Sequence, residues 1–226
     1  MARLSRITVP DIPHHVTQRG NRRLRLFDGP DDYALYRDLM ADRCRANGVA
    51  CWAYCLMPNH VHLILAPATA VGLSRAVGEA HRRYTAFVNA RARVTGHLFQ
   101  SRFASVAMDD AHLLNAVRYL AFNPVRARLA ATPQAWPHAS VAAHLAGRDD
   151  ALVAVAPVLD HVAHFAELLD LSLAEQMALG GFETKSFNGR PLGEPAFIAM
   201  IEARLGRSLR KGKPGPRPGA VKRHGE

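Results

Sequence analysis

Ala50-Cys51-Trp52-Ala53-Tyr54-Cys55-Leu56-Met57, then Pro58-Asn59, then His60-Val61-His62-Leu63-Ile64-Leu65-Ala66, is the stretch on which the fold turns. Both flanks are apolar with aromatic or β-branched residues, and Pro-Asn is turn material, so the stretch reads as two strands joined by a turn. Working back toward the N-terminus, Asn47-Gly48 is a helix stop. The helix it closes starts at Gly29-Pro30-Asp31-Asp32, where proline fits the first turn and the acids suit the positive end of the dipole. Tyr33, Tyr36, Leu39, Met40 and Cys44 form its apolar stripe. Ahead of it lie a short strand, His14–Gln18, and a basic turn, Arg19-Gly20-Asn21-Arg22-Arg23.

Toward the C-terminus, Leu73, Ala76, Val77, Ala80, Tyr84, Phe87 and Val88 follow helical spacing. Phe103–Met108 reads as a strand, and Asp109-Asp110 opens a helix that Pro124 ends at Asn123. The order β-α-β-β-α-β-α is that of an α+β, ferredoxin-like split βαβ domain: an antiparallel sheet with helices expected on one face. This domain is assigned residues 1–130, followed by a linker at 131–150. A small helical appendage takes 151–205, where Ser172-x-x-Glu175 is a capping box and Pro195–Leu205 a final helix. From Gly206 the chain holds seven Lys/Arg, one acid, five Gly and three Pro, a composition expected to form a flexible, disordered basic tail over 206–226.

The whole chain has 226 residues, 29 Lys+Arg against 19 Asp+Glu, and a net charge of +10, which points to a polyanionic partner. Arg82, Arg83, Arg91, Arg93 and Arg102 fall in a stretch with no acid between Ala80 and Met108, a one-sign run suited to phosphate. With Arg19, Asn21, Arg22 and Arg23 they form the expected DNA-binding set. Three cysteines (Cys44, Cys51, Cys55) lack the number and spacing of a disulfide framework or zinc site and are expected in the core of a protein of a reducing compartment. No apolar run approaches the ~20 residues of a membrane span, so a cytoplasmic protein without a membrane partner is expected.

His60-Val61-His62 carries the chemistry. On a strand, alternate residues share a face ~6.6 Å apart along the chain, so two imidazoles can converge on one ion while Val61 enters the core. On the helix Asp109–Asn123, His112, Asn115, Tyr119 and Asn123 step along a face distinct from the Leu113, Leu114, Val117, Leu120, Ala121 stripe. If that face lies over the histidine strand, Asn123 can offer a carbonyl oxygen to the ion and Tyr119 a hydroxyl to a phosphate. Tyr84 is the rival tyrosine, flanked by His81-Arg82-Arg83, but it lies on its helix's apolar stripe and Val88, four residues on, cannot bind metal.

Four segments in this order, His15-Val16-Thr17-Gln18-Arg19-Gly20-Asn21, Cys55-Leu56-Met57-Pro58-Asn59-His60-Val61-His62-Leu63, Gly96-His97-Leu98-Phe99-Gln100-Ser101-Arg102-Phe103 and Tyr119-Leu120-Ala121-Phe122-Asn123-Pro124-Val125-Arg126-Ala127, resemble the HUH-type single-tyrosine transposases of bacterial insertion sequences and their REP-associated relatives. The resemblance implies cleavage and strand transfer on single-stranded or hairpin DNA. Tyr119 would be the nucleophile forming a 5′-phosphotyrosine, and His60, His62 and Asn123 would hold a divalent metal, Mg²⁺ or Mn²⁺, with no nucleotide cofactor. It leaves open a homodimer with tyrosines exchanged between subunits. Two alternatives are a non-catalytic nucleic-acid-binding regulator on the same fold and a metal-dependent phosphoesterase that uses water.

Overall fold

The computed structural model describes residues 6–178 and 189–209. At its centre, β1 (His14–Arg19), β2 (Val49–Met57), β3 (His60–Pro67) and β4 (Ala104–Ala107) form one sheet in the order β2-β3-β1-β4. Every pairing is antiparallel. The hairpin partner β3 inserts between β1 and β2, which is the split βαβ arrangement expected from the element order.

Helix α1 (Pro30–Ala46) begins on Pro30 with Asp31 and Asp32 in its first turn, and Asn47 ends it by donating its side-chain amide to the Arg43 carbonyl at 2.8 Å. Gly48 follows at φ 60°, the left-handed conformation that glycine adopts without strain. Helices α1 and α2 (Gly72–Ala92) bury Tyr36, Met40, Leu73, Val77 and Tyr84 against Val16, Leu56, Val61, Leu63 and Leu65. Helix α3 (Asp110–Arg126) instead buries Leu113, Val117, Tyr119 and Leu120 against Ala53, Cys55, Met57 and Ile64, the alternate residues of the same strands. The expectation of helices on one face is thus corrected. A sheet covered on both sides gives strands that are nearly continuous apolar runs, and such runs do not show which face is empty.

Helix α3 also outruns its expected end at Asn123. Proline removes only its own N–H, and the Ala127 N–H still reaches the Asn123 carbonyl (3.0 Å) while the Leu129 N–H closes on the Pro124 carbonyl (2.8 Å).

The expected linker, 131–150, is instead laid along the outer rail of β2. Leu56 N–H donates to the His138 carbonyl (2.8 Å), Ser140 N–H to the Tyr54 carbonyl (3.0 Å), and Tyr54 N–H to Ser140 Oγ (3.0 Å). Further on, Ala154 N–H bonds the Cys51 carbonyl at 2.8 Å. The stretch behaves this way because an edge strand leaves backbone groups to be satisfied. The appendage at 151–205 divides. Val158, Phe165 and Leu168 join the α3 core, whereas Leu192 donates to the Ala107 carbonyl (2.8 Å) on the rail of β4. The final helix, Pro195–Leu205, packs Ile201 against Ile7 and Val9. The Ser172/Glu175 capping box forms as expected, with Ser172 N–H on Glu175 Oε2 at 2.9 Å. Of the 206–226 tail, residues 210–226 lie outside the described residues.

Cys44, Cys51 and Cys55 are buried and unpaired, consistent with core packing. No described helix is long and apolar enough to cross a membrane.

Candidate active site

The alternation of β3 sends Val61 into the α1/α2 core and leaves His60 and His62 on the α3 face. Their neighbours there are set by register, Arg19 opposite His60 and Thr17 opposite His62 on β1, Met57 and Cys55 on β2. Across this face α3 lays Tyr119, whose ring meets that of His62 edge-on at 5.2 Å between centroids. The His60 and His62 rings are 4.8 Å apart and nearly perpendicular. A third imidazole, absent from the expected set, completes the cluster. The His15 ring lies nearly parallel to that of His62, 5.2 Å between centroids with 11° between planes, its Nε2 is 3.0 Å from His62 Nδ1, and its ring lies 6.1 Å from that of Tyr119.

Tyr119 is only 1% exposed, packed against the His62 and His15 rings of the sheet. Arg126, two turns further on, places its guanidinium carbon 5.4 Å from the centre of the Tyr119 ring. A cation so placed interacts with the ring's negative face. Tyr84, by contrast, lies on the other face of the sheet and donates its hydroxyl to the Leu26 carbonyl at 2.6 Å.

The imidazoles of this cluster are held neutral. Burial pushes His15 down to about 3 and, helped by the charge of Arg19, His60 down to about 4. His62 falls well below the usual range through burial, with His60, His15, Arg19 and Arg126 adding to the effect. A neutral imidazole keeps the lone pair that a metal needs.

Among the described residues, no three His, Cys, Asp or Glu side chains are grouped to hold a metal, so two imidazoles require a donor of another type. Two observations fit Asn123 to that part. It is buried one turn beyond Tyr119, and its amide Nδ2 has no hydrogen-bond partner, as is true of His62 Nε2. An asparagine amide can be turned end for end, which would bring its oxygen to the same place. The other partnerless buried side-chain atoms among the described residues, Arg37 Nε, Ser105 Oγ and Arg118 Nε, sit on three different elements.

The expected DNA-binding residues separate into two groups. Arg19, Asn21, Arg22 and Arg23 lie at the His60 end of the sheet, where Gly20 N–H bonds the Asn59 carbonyl (2.9 Å) and Asn21 N–H the Leu98 carbonyl (2.8 Å). Glycine is required at position 20, since a Cβ there would collide with the Leu24 carbonyl. Arg102 is exposed on the 96–102 loop, which Gln100 N–H ties to the Arg19 carbonyl at 2.9 Å. Arg82, Arg83 and Arg91 belong to α2, on the opposite face from Tyr119, and Arg93 is its C-terminal cap. Arg82 and Arg83 are paired with Glu79, just before the one-sign run, and Arg91 with Asp28 and Asp32 from the start of α1, so three of its arginines already have acidic partners.

Residues 8–123 match the family model described as "Transposase IS200 like", and the chain belongs to that family. Membership places it among DNA-cleaving enzymes of DNA transposition. Among solved structures, the chain is similar to a REP-associated tyrosine transposase bound to a REP hairpin, with 21% identity over 68% of this chain and 92% of that one and a TM-score of 0.57, a likeness of fold. It is also similar to a candidate transposase of Deinococcus radiodurans R1, with 21% identity over 52% of this chain and 95% of that one and a TM-score of 0.38. No curated protein matches the sequence.

Proposed function

We propose that this transposase cuts and rejoins single-stranded or hairpin DNA with Tyr119 as its nucleophile. The observation that carries the reading is the meeting of the Tyr119 and His62 rings at 5.2 Å on the face that Val61 leaves free. The Tyr119 hydroxyl attacks the scissile phosphorus, its proton leaves, and the bond to the 3′-oxygen breaks. The 3′-oxygen takes up a proton to become a hydroxyl, while the 5′-phosphate stays on the tyrosine. A 3′-hydroxyl then attacks the phosphotyrosine, restores a phosphodiester and frees Tyr119, so bond energy is conserved without a nucleotide. A phenol of pKa ~10 attacks poorly at pH 7, so loss of its proton is part of the step. His60, His62 and Asn123 are the donors for one Mg²⁺ or Mn²⁺, which when bound withdraws charge from the non-bridging phosphate oxygens. Arg19, Asn21, Arg22, Arg23 and Arg102 lie nearest this site to grip the DNA backbone.

The solved relative with a REP hairpin supports the choice of a folded single strand as substrate. The test is a denaturation-resistant adduct with labelled hairpin DNA, expected for the natural protein and absent from Tyr119→Phe. Cleavage that survives in Tyr119→Phe overturns the reading, with water as the nucleophile if no adduct forms and another tyrosine if one does. Mixing Tyr119→Phe with His62→Ala restores no adduct if each copy holds its own site.

A further inference from the structure

The His15–His62 pair does more than fill space. Only one of the two facing nitrogens, His15 Nε2 and His62 Nδ1, can carry the proton between them at 3.0 Å. If His15 donates, the His62 proton sits on Nε2, the atom that is buried without a partner, and an N–H there cannot ligate a cation. If His62 donates from Nδ1, its Nε2 carries a bare lone pair. Burial and the near-parallel ring planes hold the pair, since His15 and His62 are 1% and 2% exposed and their planes differ by 11°.

We propose that His15 is the positioning residue of the ion site: its Nε2 accepts the Nδ1–H of His62 and thereby fixes the His62 ring in the tautomer that turns the Nε2 lone pair toward a divalent cation. The inference rests on the ion reading above, and extends it from the ligands to the residue that orients one of them. A hydrogen bond to the far nitrogen of a ligating imidazole sets its tautomer and orientation, and its loss typically costs about 10–100-fold in metal affinity. The pair is formed by the fold itself, through the pairing of β1 with β3, so the arrangement exists before any metal arrives.

The test uses the full chain in two measurements. Long-range ¹H–¹⁵N NMR of the metal-free natural protein reads the His62 tautomer directly, and the proton is expected on Nδ1. A proton on Nε2 overturns the proposal without any variant being needed. Mn²⁺ affinity, read from the EPR signal of free Mn²⁺, is then compared among the natural protein, His15→Phe and His15→Gln. His15→Phe keeps a flat ring but cannot accept, and is expected to bind about 10–100-fold more weakly. His15→Gln, whose amide oxygen can reach the place of Nε2, is expected to recover most of that loss and to keep the Nδ1–H tautomer. A folded His15→Phe that binds Mn²⁺ like the natural protein overturns this inference and leaves the ion reading standing. A natural protein that binds no Mn²⁺ overturns both.

Discussion

The two faces of the sheet are made from the same strands and differ in what their buried tyrosine hydroxyls and imidazoles meet. On the α1/α2 face the Tyr84 hydroxyl has a carbonyl, and the Tyr36 hydroxyl has His81 Nε2 at 2.9 Å. On the α3 face His62 Nε2 and the Asn123 amide nitrogen are buried and left without partners. An unsatisfied buried group costs about 1–3 kcal/mol, so two of them close to a tyrosine mark a place shaped for something other than stability. The first face holds the domain together, and the second carries the residues proposed to receive a ligand.

The largest effect expected from this contrast separates the two tyrosines. Tyr119→Phe should lower adduct formation by at least about 1,000-fold, the scale of losing a nucleophile. Tyr84→Phe should leave adduct yield within about twofold and instead reduce stability by about 1 kcal/mol in urea unfolding, since the Leu26 carbonyl loses its donor. A folded Tyr84→Phe without adduct would break the comparison.

Next in size is the acid limit of the sealed face. Burial pushes His14 down to about 4 and His81 to about 3. The unfolded chain therefore takes up these protons first, near pH 6.5. Stability is complete above that pH and declines as pH falls toward 4, at a slope approaching roughly 1.4 kcal/mol per pH unit for each histidine. Urea unfolding at pH 7, 6 and 5 measures it, and His81→Gln should remove one proton's share of the slope.

Smaller again is the tie between α1 and α2. Hydrogen bonds from Arg91 hold the Asp32 carboxyl below its usual range, against a smaller opposing effect of burial. The stabilisation this gives is present above the unfolded carboxylate value and vanishes as pH falls through the lowered folded one. Arg91→Ala should cost roughly 1–2 kcal/mol at pH 7, limited by the solvent around Arg91, and progressively less as the medium is acidified below pH 4. Thermal melts across pH 2–7 check the sign.

The smallest effect sharpens the contrast between arginines. Arg19→Gln, beside His60, should reduce the salt dependence of single-stranded DNA binding by about 0.7 in log–log slope, the share of one phosphate contact. Arg82→Gln, paired with Glu79 on the far face, should leave that slope unchanged in a salt titration followed by fluorescence anisotropy.

Much of the fold was legible because it rests on local signals. Pro30 with two acids, Asn47-Gly48 and the Pro58-Asn59 turn each declare an element boundary by their own chemistry. Period two in His60-Val61-His62 was enough to separate ligand candidates from core. What the sequence hid was long-range. His15 reaches His62 only through a register that puts Thr17, not His15, opposite it. The signal it did carry was parity, since His15, like Arg19, alternates with the core residue Val16. The partners of Arg91 stand about 60 residues earlier in the chain, and Glu79 lies one position outside the acid-free run. The stretch 131–150, with its prolines and short turns, reads as a connector, and its role emerges only once β2 is known to be an edge.

That role bears on how small an active piece of this protein can be. Every residue of the proposed catalytic centre precedes position 130, yet the strips that finish the sheet, at 138–140 and 154 on one side and 192 on the other, all come later in the chain. A fragment trimmed to the family match would keep its tyrosine and histidines while presenting two bare hydrogen-bonding rails, and it would stick to its own copies before it met any DNA.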